Sequence, residues 1–564
     1  MTAARLAALA VCAALMSACG GGAGGADAGS GGSPGSGGGA AGQVQTGGAP
    51  GAGGTPATGG GSGGTPATGG AGGRGGGSAG ATAGSGGHAG SGGAGGHAGG
   101  DAAGHAGGSG GAGTSGSTGG AAGGGSGLGG SRGGAPGGAS AVFPPPNATN
   151  VCPDPPLRIT FAGNGSPSVG SSGKVSVFTS AGSLVSAVNV AASTTTTVNG
   201  GMSFATERPV FVDGNSVVVM LPSKPLGYGQ TYYVTVDAGA IVPPGGGSFS
   251  VSGSTAWRFT TAPAAPTNKA AVGVALDGSA PFCSLQGALD FVPANNSAAV
   301  TVSLAAGTYH EIVYFKSKSN VTIQGASRDG TVIEGVNNDN LNGGTKLRAL
   351  VGGDSTSGLT ITNLTIHNLT PQGGSQAEAL RLESCDKCVI TNATIISLQD
   401  TLLWSGRLYA KNCLIEGNVD YVWGTGAAYF DSCEIRTIGR TGVIVQARNP
   451  SSTYGYVFVD SKLTSDAGLT GIALGRIDVS VYPASQVAYI NCQLASGIAP
   501  SGWTITGGTN TSMLRFWEYQ SVNASGQPVD VSQRVAGSKQ LSASQAAMLR
   551  DPTVVLAGWQ PPGT

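Results

Sequence analysis

Short apolar segments, separated by polar and glycine-containing turns, recur along the C-terminal half of the chain. Seven of them align with one another: "VTIQGAS" from Val321, "LTITNLTI" from Leu359, "VITNATI" from Val389, "YAKNCLI" from Tyr409, "YFDSCEI" from Tyr429, "VFVDSKL" from Val457 and "AYINCQL" from Ala488. Six share a polar or small position, at spacings of 29, 20, 20, 29 and 30 residues: Asn363, Asn392, Asn412, Ser432, Ser461 and Asn491. Units of this length, without helical periodicity, predict a coil wound as a parallel β-helix.

Two other repeat architectures share part of this pattern. Leucine-rich repeats have a similar period, but their fixed leucine framework is missing here. Tandem sandwich domains are disfavoured because equivalent segments recur too closely to be whole domains. The pattern therefore predicts an all-β protein whose C-terminal part, residues 268–564, is a parallel β-helix.

The segment "LQDTLLWSGRLYAKNCLIEGNVDYVWG" places Asp400 and Asp420 twenty residues apart, beside apolar and β-prone residues. If one coil takes about twenty residues here, residues i and i+20 lie on adjacent strands about 4.8 Å apart, and the two carboxyl groups stack with Gln399 beside them. Two carboxylates this close do not both ionise at their ordinary values, which yields an acid and a base, or an acid and a nucleophile. On spacing alone, turn capping or cation binding by each aspartate is an equal alternative.

The chain before the repeat has a different texture in two stretches. Residues 19–143 are rich in Gly, Ala and Ser with almost no large apolar residue, so they cannot bury enough surface to fold and are predicted to be a disordered tether. In residues 144–265, alternating segments such as "KVSVFTS" and "TYYVTVDAGAI" predict a small β-sandwich. Its ending, with "YGQTYYVTVDAGAI" and "WRFTTAP", resembles bacterial Ig-like modules. A spacer is the favoured interpretation, and carbohydrate binding is the alternative.

The first nineteen residues, "MTAARLAALAVCAALMSAC", have Arg5 in a short basic start, an apolar run too short to span a membrane stably, and small residues before Cys19. This resembles a bacterial lipoprotein signal peptide (residues 1–18), although Met16 replaces the usual leucine. The resemblance implies that Cys19 is lipidated and anchors the protein to a membrane, at the bacterial outer membrane or cell surface. An ordinary secretory signal is the alternative, and both predict export.

Formal net charge is zero and only 10% of residues are charged, so neither a basic face for nucleic acid nor a polybasic membrane patch is indicated. If Cys12 is removed with the leader and Cys19 is lipidated, seven of the nine cysteines remain, so at least one stays free or pairs between molecules: Cys152, Cys283, Cys385, Cys388, Cys413, Cys433 and Cys492. For Cys413 and Cys433, a disulfide and a free thiol ladder inside the coil are both open. For the CxxC pair, Cys385 and Cys388, a local disulfide or two buried thiols are favoured over a zinc site.

Motifs in the repeat region resemble those of the pectin methylesterases and occur in that family's order. They are "GTYHEIVYF" at Gly307, "VTIQGAS" at Val321, "QAEALRL" at Gln376, "LQDTLLWSGRLYAKNCLIEGNVDYVWG" at Leu398, "VQAR" at Val445, "LGR" at Leu474 and "GW" at Gly502. The QDT segment followed by the VD-aromatic segment is the specific part, and the resemblance covers roughly residues 268 to 562. It implies a right-handed parallel β-helix and an aspartyl esterase with no metal or organic cofactor, acting on methyl-esterified pectin, a polygalacturonate.

The resemblance also implies roles for five residues. Asp420 matches the family's nucleophile, and Asp400 matches its general acid, which later acts as base. Gln376 and Gln399 match the amides that stabilise the oxyanion, and Arg476 matches the arginine that holds the nucleophile. Taken alone, each glutamine is more simply interpreted as a core ladder amide, and the arginine as a surface cation.

Histidine provides a check that does not depend on the resemblance. A Ser-His-Asp hydrolase or a His-ligated zinc site needs well-placed imidazoles, but beyond the tether the chain has only His310 and His367, both interpreted as structural. Beyond the tether, HExxH, GxSxG and Walker patterns are also missing, which leaves zinc hydrolysis, the α/β-hydrolase mechanism and phosphate-loop chemistry unsupported.

Candidate substrate contacts come from side chains near the motifs: Tyr309, Trp404, Tyr421 and Trp423 as platforms for a sugar ring, and Gln446 of "VQAR". Trp503 fits packing equally well. After Arg476 the chain reads "LGRIDVSVYPASQ" where the family usually reads LGRPW, so the substrate-contacting tryptophan is missing. The alternatives are therefore a carboxyl esterase or thioesterase acting on another acyl group, or a non-catalytic surface glycan-binding protein. A monomer is expected.

Overall fold

The computed structural model describes residues 134–222 and 226–564. The predicted signal peptide with Cys19, and most of the predicted tether, lie outside these residues. Strands dominate the described part of the chain. No helix within it is both long and apolar enough to cross a lipid bilayer.

The N-terminal part is a two-sheet sandwich, which confirms the predicted Ig-like architecture, although its first strand, Ala141–Phe143, lies in the stretch predicted as the end of the disordered tether. Its strands are β1 Ala141–Phe143, β2 Ala148–Val151, β3 Leu157–Thr160, β4 Ser168–Val169, β5 Lys174–Thr179, β6 Leu184–Asn189, β7 Thr194–Asn199, β8 Met202–Glu207, β9 Val210–Asp213, β10 Ser216–Val219, β11 Thr231–Val242, β12 Phe249–Val251 and β13 Arg258–Thr261. One sheet has the order β1-β3-β10-β9, the other has β2-β13-β11-β5-β6 with β4 and β12 along β11, and β7 pairs with β8 as a separate hairpin. Buried Trp257 anchors the core, because its indole Nε1 donates to the carbonyl of Pro144 at 2.7 Å.

The C-terminal part is a parallel β-helix. Its strands are β14 Ala271–Val274, β15 Val300–Leu304, β16 Gly307–His310, β17 Val313–Lys316, β18 Val321–Gly325, β19 Thr331–Gly335, β20 Val351–Asp354, β21 Thr360–Thr362, β22 Thr365–Asn368, β23 Leu380–Thr391, β24 Thr394–Ile396, β25 Leu402–Lys411, β26 Leu414–Gly417, β27 Val419–Gly424, β28 Ala427–Asp431, β29 Glu434–Thr437, β30 Val443–Ala447, β31 Tyr456–Val459, β32 Lys462–Ser465, β33 Ala473–Asp478, β34 Gln486–Ile490, β35 Trp503–Thr506, β36 Arg515–Tyr519 and β37 Lys539–Gln540. They form a 17-stranded and a 7-stranded sheet, and neighbouring strands in both run parallel.

The strand register confirms the first three coil lengths expected from the repeat, whereas the last two are 28 and 31 residues instead of 29 and 30, since Asp431 pairs with Val459 and Val459 with Ile490. Tyr409 pairs with Tyr429 and Leu402 pairs with Val422, so one coil takes twenty residues here. Thr362 pairs with Thr391, which gives a coil of twenty-nine residues two turns earlier. Residues twenty apart around the QDT segment therefore lie side by side on adjacent strands.

A column of left-handed residues closes one corner of successive coils. Five of the six positions predicted from the repeat have positive φ: Asn363, Asn392, Asn412, Ser432 and Asn491. The sixth prediction, Ser461, is wrong, because Asp431 pairs with Val459 and the turn therefore falls on Asp460 with φ 48°. Ser461 points inward instead, and its hydroxyl donates to the Val459 carbonyl at 3.0 Å. Asn and Asp suit this corner because they tolerate the left-handed region better than most residues.

Three short helices accompany the β-helix, at Leu285–Phe291, Ala543–Leu549 and Pro552–Val555. The first packs apolar residues into the end of the coil core, and Ser284 caps it by accepting from the Gly287 amide at 3.0 Å. The two C-terminal helices cover an outer apolar face, where Leu549 and Val555 pack with Tyr429 and its neighbours.

The sandwich and the β-helix are joined by more than the connecting chain. A disulfide links Cys152 of the sandwich to Cys283 of the β-helix, a pairing that the sequence did not predict. Next to it, the Asp154 carboxylate accepts from the amides of Cys283 and Ser284 at 3.0 and 2.9 Å. The Ig-like domain is therefore docked on the β-helix.

The other cysteines resolve two open alternatives. Cys385 and Cys388 form a local disulfide, whereas Cys413, Cys433 and Cys492 are buried free thiols. Cys413 and Cys433 follow aligned turn residues on neighbouring coils, and their sulfurs donate to carbonyls within the coil. The thiol-ladder alternative therefore holds for this pair.

Candidate active site

Asp400 and Asp420 lie next to one another on adjacent coils. Asp400 precedes β25 and Asp420 is the second residue of β27. The Asp400 amide donates to the Val419 carbonyl at 3.0 Å, which fixes the two coils against each other at this point. Both aspartates have left-handed backbones, with φ of 65° and 48°, and only 8% and 4% of their surfaces are exposed. Sparsely populated backbone conformations of this kind cluster at functional sites.

Arg476 holds Asp420. Its Nε donates to Asp420 Oδ1 at 2.8 Å and to Oδ2 at 3.1 Å, and its Nη2 also bonds Oδ2. The Arg476 side chain is 45% exposed, whereas that of Asp420 is 6% exposed. The arginine therefore approaches from the solvent side and fixes the orientation of a carboxylate that the coils would otherwise leave unpaired.

Asp400 is held by a different arginine, Arg348, whose Nη2 donates to Asp400 Oδ2 at 2.8 Å. The same guanidinium forks onto Glu378, with Nε and Nη2 donating to Glu378 Oε1 at 3.1 and 2.8 Å. It also reaches Asp339 through Nη1 at 3.4 Å. One buried cation is thus shared among three carboxyl groups.

This environment raises the pKa of Asp400 well above its ordinary value. The largest cause is burial, which disfavours the charged carboxylate, and the next is the negative charge of Glu378. The charge of Arg348 opposes the shift, Asp420 adds to it, and Arg448 opposes it. Asp400 is therefore suited to hold a proton in the pH range where an ordinary aspartate has lost it.

Two glutamines flank the pair on successive coils. The Ala377 amide donates to the Gln399 carbonyl at 3.2 Å. The Gln399 backbone in turn forms a parallel β-bridge with Val419 on the next coil. Gln376 and Gln399 are both half-buried. The Ser375 hydroxyl donates to Gln376 Oε1 at 3.0 Å, which occupies the amide oxygen and leaves its NH2 as the donor end. The five residues implied as catalytic thus come from neighbouring segments of the same region.

Three of the aromatic candidates are not available to a sugar ring, and those predictions are wrong. Tyr309 is 1% exposed, and its hydroxyl donates to the Ala305 carbonyl at 3.0 Å. Trp404 and Tyr421 are fully buried in the coil core, with the Tyr421 hydroxyl paired to Thr437 at 3.0 Å. Trp503 packs in the core on Phe516, with ring centroids 4.6 Å apart. All of these rings point inward, so no ring face reaches solvent.

Trp423 and Gln446 occupy the outer surface instead. Their backbones are register partners, so they lie side by side on β27 and β30. The Arg448 guanidinium lies 4.7 Å from the Trp423 ring centroid, and Arg348 lies 5.8 Å from it on the way to Asp400. Arg448 Nε also donates to Gln446 Oε1 at 3.1 Å. Trp423 is 8% exposed, with both cations beside its ring.

Three residues of this region were missed by the sequence analysis: Arg348, Glu378 and Arg448. Arg348 and Glu378 each carried a signal, because a charge between apolar neighbours in "KLRALV" and "QAEALRL" departs from the pattern of a buried strand, whereas Arg448 of "VQARNP" has only one apolar neighbour and carried a weaker signal. None of the three could be paired from sequence alone, since Arg348 and Asp400 are 52 positions apart.

One group in the described residues has the composition of a metal site, namely Cys152, Asp154 and Cys283. Its two sulfurs are joined in a disulfide, so they do not act as thiolate ligands. The group lies at the junction with the Ig-like domain and takes no part in the Asp400 and Asp420 site.

Comparison with known proteins is consistent with this geometry. The family model for pectinesterases matches residues 271–554, and the model for a bacterial Ig-like domain matches residues 135–261. The chain belongs to the pectinesterase family. It is therefore a carboxylic ester hydrolase by family, and its Ig-like part precedes the pectinesterase part.

Two curated pectinesterases illustrate the relationship. Pectinesterase 31 of Arabidopsis thaliana is 30% identical over 288 residues, which cover 49% of this chain and 89% of the relative. Pectinesterase 1 of Olea europaea is 32% identical over 281 residues, covering 48% of this chain and 74% of the relative. Among solved structures, the pectin methylesterase from carrot matches with a TM-score of 0.47 and 25% identity, over 52% of this chain and 95% of that one. The enzyme from Aspergillus niger matches with a TM-score of 0.45 and 26% identity, over 52% and 96%.

Proposed function

We propose that this protein is a pectin methylesterase, which hydrolyses the methyl esters of polygalacturonate to pectate and methanol. The observation that carries the proposal is the side-by-side placement of two buried aspartates with different partners. Within the part of the chain that the structure describes, Asp420 is held by Arg476, and Asp400 shares Arg348 with Glu378. Two carboxyl groups in unlike environments are the arrangement that lets one act as nucleophile and the other as acid.

In the first half of the reaction, a carboxylate oxygen of Asp420 attacks the ester carbonyl carbon and forms a tetrahedral intermediate. Its collapse breaks the bond to the methoxy oxygen, which takes the proton of Asp400 and leaves as methanol. An acyl anhydride then joins Asp420 to the galacturonate carboxyl group. The raised pKa of Asp400 supports this step, because the acid must still carry its proton when the leaving group departs.

In the second half, Asp400 is a carboxylate and accepts a proton from water. The resulting hydroxide attacks the galacturonyl carbon of the anhydride, and the bond to Asp420 breaks. This regenerates the Asp420 carboxylate and a protonated Asp400, and it releases the galacturonic acid, which gives its proton to solvent and becomes pectate. In each half, the amides of Gln376 and Gln399 donate to the developing oxyanion, where one well-placed donor contributes about 3 kcal/mol.

Methanol release from highly esterified pectin by the full chain tests the proposal, with Asp420→Asn as the inactive control. Release by the wild type and none by the variant is the expected result. Hydrolysis of a different ester or thioester without methanol release would show that the site acts on another acyl group. Pectin binding without any turnover would indicate a glycan-binding protein.

We further propose that the protein is exported and anchored through lipidated Cys19. The two disulfides, Cys152–Cys283 and Cys385–Cys388, support export because disulfides persist in oxidising compartments. Replacement of Cys19 by Ala should move the activity from the membrane fraction to the soluble fraction, whereas an unchanged distribution would contradict the anchor. The expected monomeric state stays a prediction that light scattering of the purified protein tests.

A further inference from the structure

The Ig-like domain extends a hairpin, β7 and β8, onto the β-helix. Its turn, Gly200 and Gly201, has positive φ at both residues, as a tight two-residue hairpin turn requires. Gly200 lies so close to the β-helix that an added Cβ would sit 2.3 Å from the Tyr314 carbonyl oxygen. Phe204, 2% exposed, packs into the core of the β-helix, with its ring centroid 5.9 Å from that of Tyr314.

The same hairpin binds the segment between β19 and β20 through one side chain, Asn342. The Ala205 amide donates to Asn342 Oδ1 at 2.8 Å, and Asn342 Nδ2 donates back to the Ala205 carbonyl at 2.8 Å. The Asn342 amide thus pairs with both backbone groups of one hairpin residue. Its Nδ2 also donates to Asn337 Oδ1 at 2.8 Å, so the contact continues inward.

Asn337 binds the residues on either side of Arg348. Its Nδ2 donates to the Leu347 carbonyl at 2.8 Å and to the Ala349 carbonyl at 2.7 Å. Asn337 is fully buried, Asn342 is 7% exposed and Arg348 is 8% exposed. Because an unsatisfied buried polar group costs about 1–3 kcal/mol, this network strongly favours one conformation of the segment.

Arg348 then holds Asp400 at 2.8 Å. A continuous series of hydrogen bonds therefore runs from the Ig-like hairpin, through Asn342 and Asn337, to the backbone around Arg348 and so to the proposed general acid. The interpretation of the Ig-like domain as a spacer takes no account of this series.

We propose that the Ig-like domain is a structural part of the active site, in which Asn342 and Asn337 act as positioning residues that hold Arg348 against Asp400. This inference rests on the proposed function for its kinetic consequences. The physical coupling between the hairpin and the Arg348 segment is independent of which ester is hydrolysed.

The charges around Asp400 determine in which direction its pKa moves when Arg348 is displaced. Glu378 and Asp420 face it with negative charge, and Arg348 and Arg448 face it with positive charge. Beyond these, Asp339 pairs with Arg348 and Arg476 pairs with Asp420. If Arg348 moves away, the opposing effect of its charge weakens, and the pKa of Asp400 rises further.

The test compares two variants of the full chain that each remove hydrogen bonds at the hairpin. Asn342→Ala breaks the bonds to Ala205 and Asn337. Asn199→Ala is the matched control, since Asn199 also ties the hairpin to the β-helix, by donating to the Ile312 carbonyl at 2.5 Å, but does not touch the Arg348 segment. Asn342→Ser is neutral and too short to pair with both backbone groups of Ala205, so it replaces the alanine variant if that variant fails to fold.

For Asn342→Ala we expect kcat for methanol release to fall about tenfold with KM within about twofold, because small misplacements of catalytic groups reduce rates by such factors. The alkaline limb of the kcat/KM profile should move to higher pH. Hydrogen exchange of residues 337–349 should become faster. Asn199→Ala should leave the pH profile and the exchange of this segment unchanged.

An unmoved alkaline limb in Asn342→Ala, or the same kinetic loss in both variants, would overturn the proposal and assign the network to general domain docking. If the wild type releases no methanol, the proposed function fails on its own. The exchange measurement then still decides the coupling, since unchanged exchange at 337–349 in Asn342→Ala would overturn it.

Discussion

Arg476 and Asp420 form a two-oxygen ion pair across the coils, with Arg476 Nε 2.8 and 3.1 Å from the two carboxylate oxygens. Asp400 lies beside Asp420, but an arginine binds only one of its oxygens. That arginine, Arg348, also donates to Glu378. The two aspartates occupy equivalent positions on adjacent coils, so the repeat alone would give them the same surroundings. Their difference comes from arginines on distant strands and loops, and the proposed division into nucleophile and acid rests on this difference.

Replacement of Asp420 by Asn should reduce methanol release to below a few per cent of wild type while leaving the fold intact. The amide nearly matches the carboxylate in size but cannot act as the nucleophile. Asp400→Asn should be similarly severe, because the amide cannot give its proton to the leaving methanol. Turnover is measured as methanol released, and folding by circular dichroism.

Asp460→Asn is the matched control for the nucleophile variant. Asp460 has φ 48°, as Asp420 does, and it pairs with an arginine, Arg550, at 2.7 Å. It occupies the corner column and has no described contact with Asp400 or Asp420, so its replacement should leave turnover unchanged. Substantial activity in Asp420→Asn would contradict the covalent mechanism.

The pH profile should depend on Glu378. As pH rises through the pKa of Asp400, the acid loses its proton and kcat/KM falls, which defines the alkaline limb. The negative charge of Glu378 raises that pKa, so Glu378→Gln should lower it and move the alkaline limb to lower pH. This is the opposite of the shift expected for Asn342→Ala. A limb that stays in place or moves upward would show that Glu378 does not act on Asp400.

The stacking of Asp400 and Asp420 could be predicted from sequence because it depends on one local quantity, the coil length. The repeat gives that length as twenty residues, and the spacing of adjacent strands then places residues one coil apart side by side. The roles of the two residues stay predictions. Arg348 could not be paired in this way, since it lies in a segment outside the repeat whose conformation is set by Asn337 and Asn342.

The aromatic candidates show a second limit of the sequence. Trp404 pairs with Gly424, and Leu403 pairs with Trp423. Trp404 therefore fills the core above a glycine, while Trp423 lies outside next to a leucine. Both strands carry large apolar residues on both faces, so alternation of apolar and polar residues does not tell inward from outward positions. The inward assignment needed the register of the neighbouring strands.

The two disulfides should contribute unequally to stability. Their sequence separations are 131 for Cys152–Cys283 and 3 for Cys385–Cys388. In the chain-entropy model, closing the long loop stabilises the folded state by about 5 kcal/mol and closing the short one by about 2 kcal/mol. Thermal unfolding of the Cys152→Ser, Cys283→Ser double variant should therefore show a larger drop in midpoint than the Cys385→Ser, Cys388→Ser double variant. Equal drops would show that loop closure is not the source of the stabilisation.

The last prediction concerns the segment after Arg476. Ile477 is 2% exposed and points into the core, so it does not present a surface for a sugar ring. Asp478, two residues after Arg476 on β33, is exposed like Arg476, and alternation along a strand places both on the same face. Its carboxylate lies in a local turn, where Oδ1 accepts from the Ser480 amide at 2.9 Å.

Asp478 should repel the anionic product more than the esterified substrate. In Asp478→Asn we therefore expect tighter inhibition by polygalacturonate, by about two- to fivefold at low salt, as exposed charge pairs contribute about 0.2–1 kcal/mol. The effect should disappear at about 1 M salt, where the Debye length is only about 3 Å. Asp277→Asn is the matched control, because Asp277 makes the same turn with Ser279 at 3.0 Å, beside the first coil. Equal inhibition constants for wild type and Asp478→Asn at low salt would mean that Asp478 does not face the bound polymer, and discrimination between product and substrate would then have to come from Trp423 and the arginines beside it.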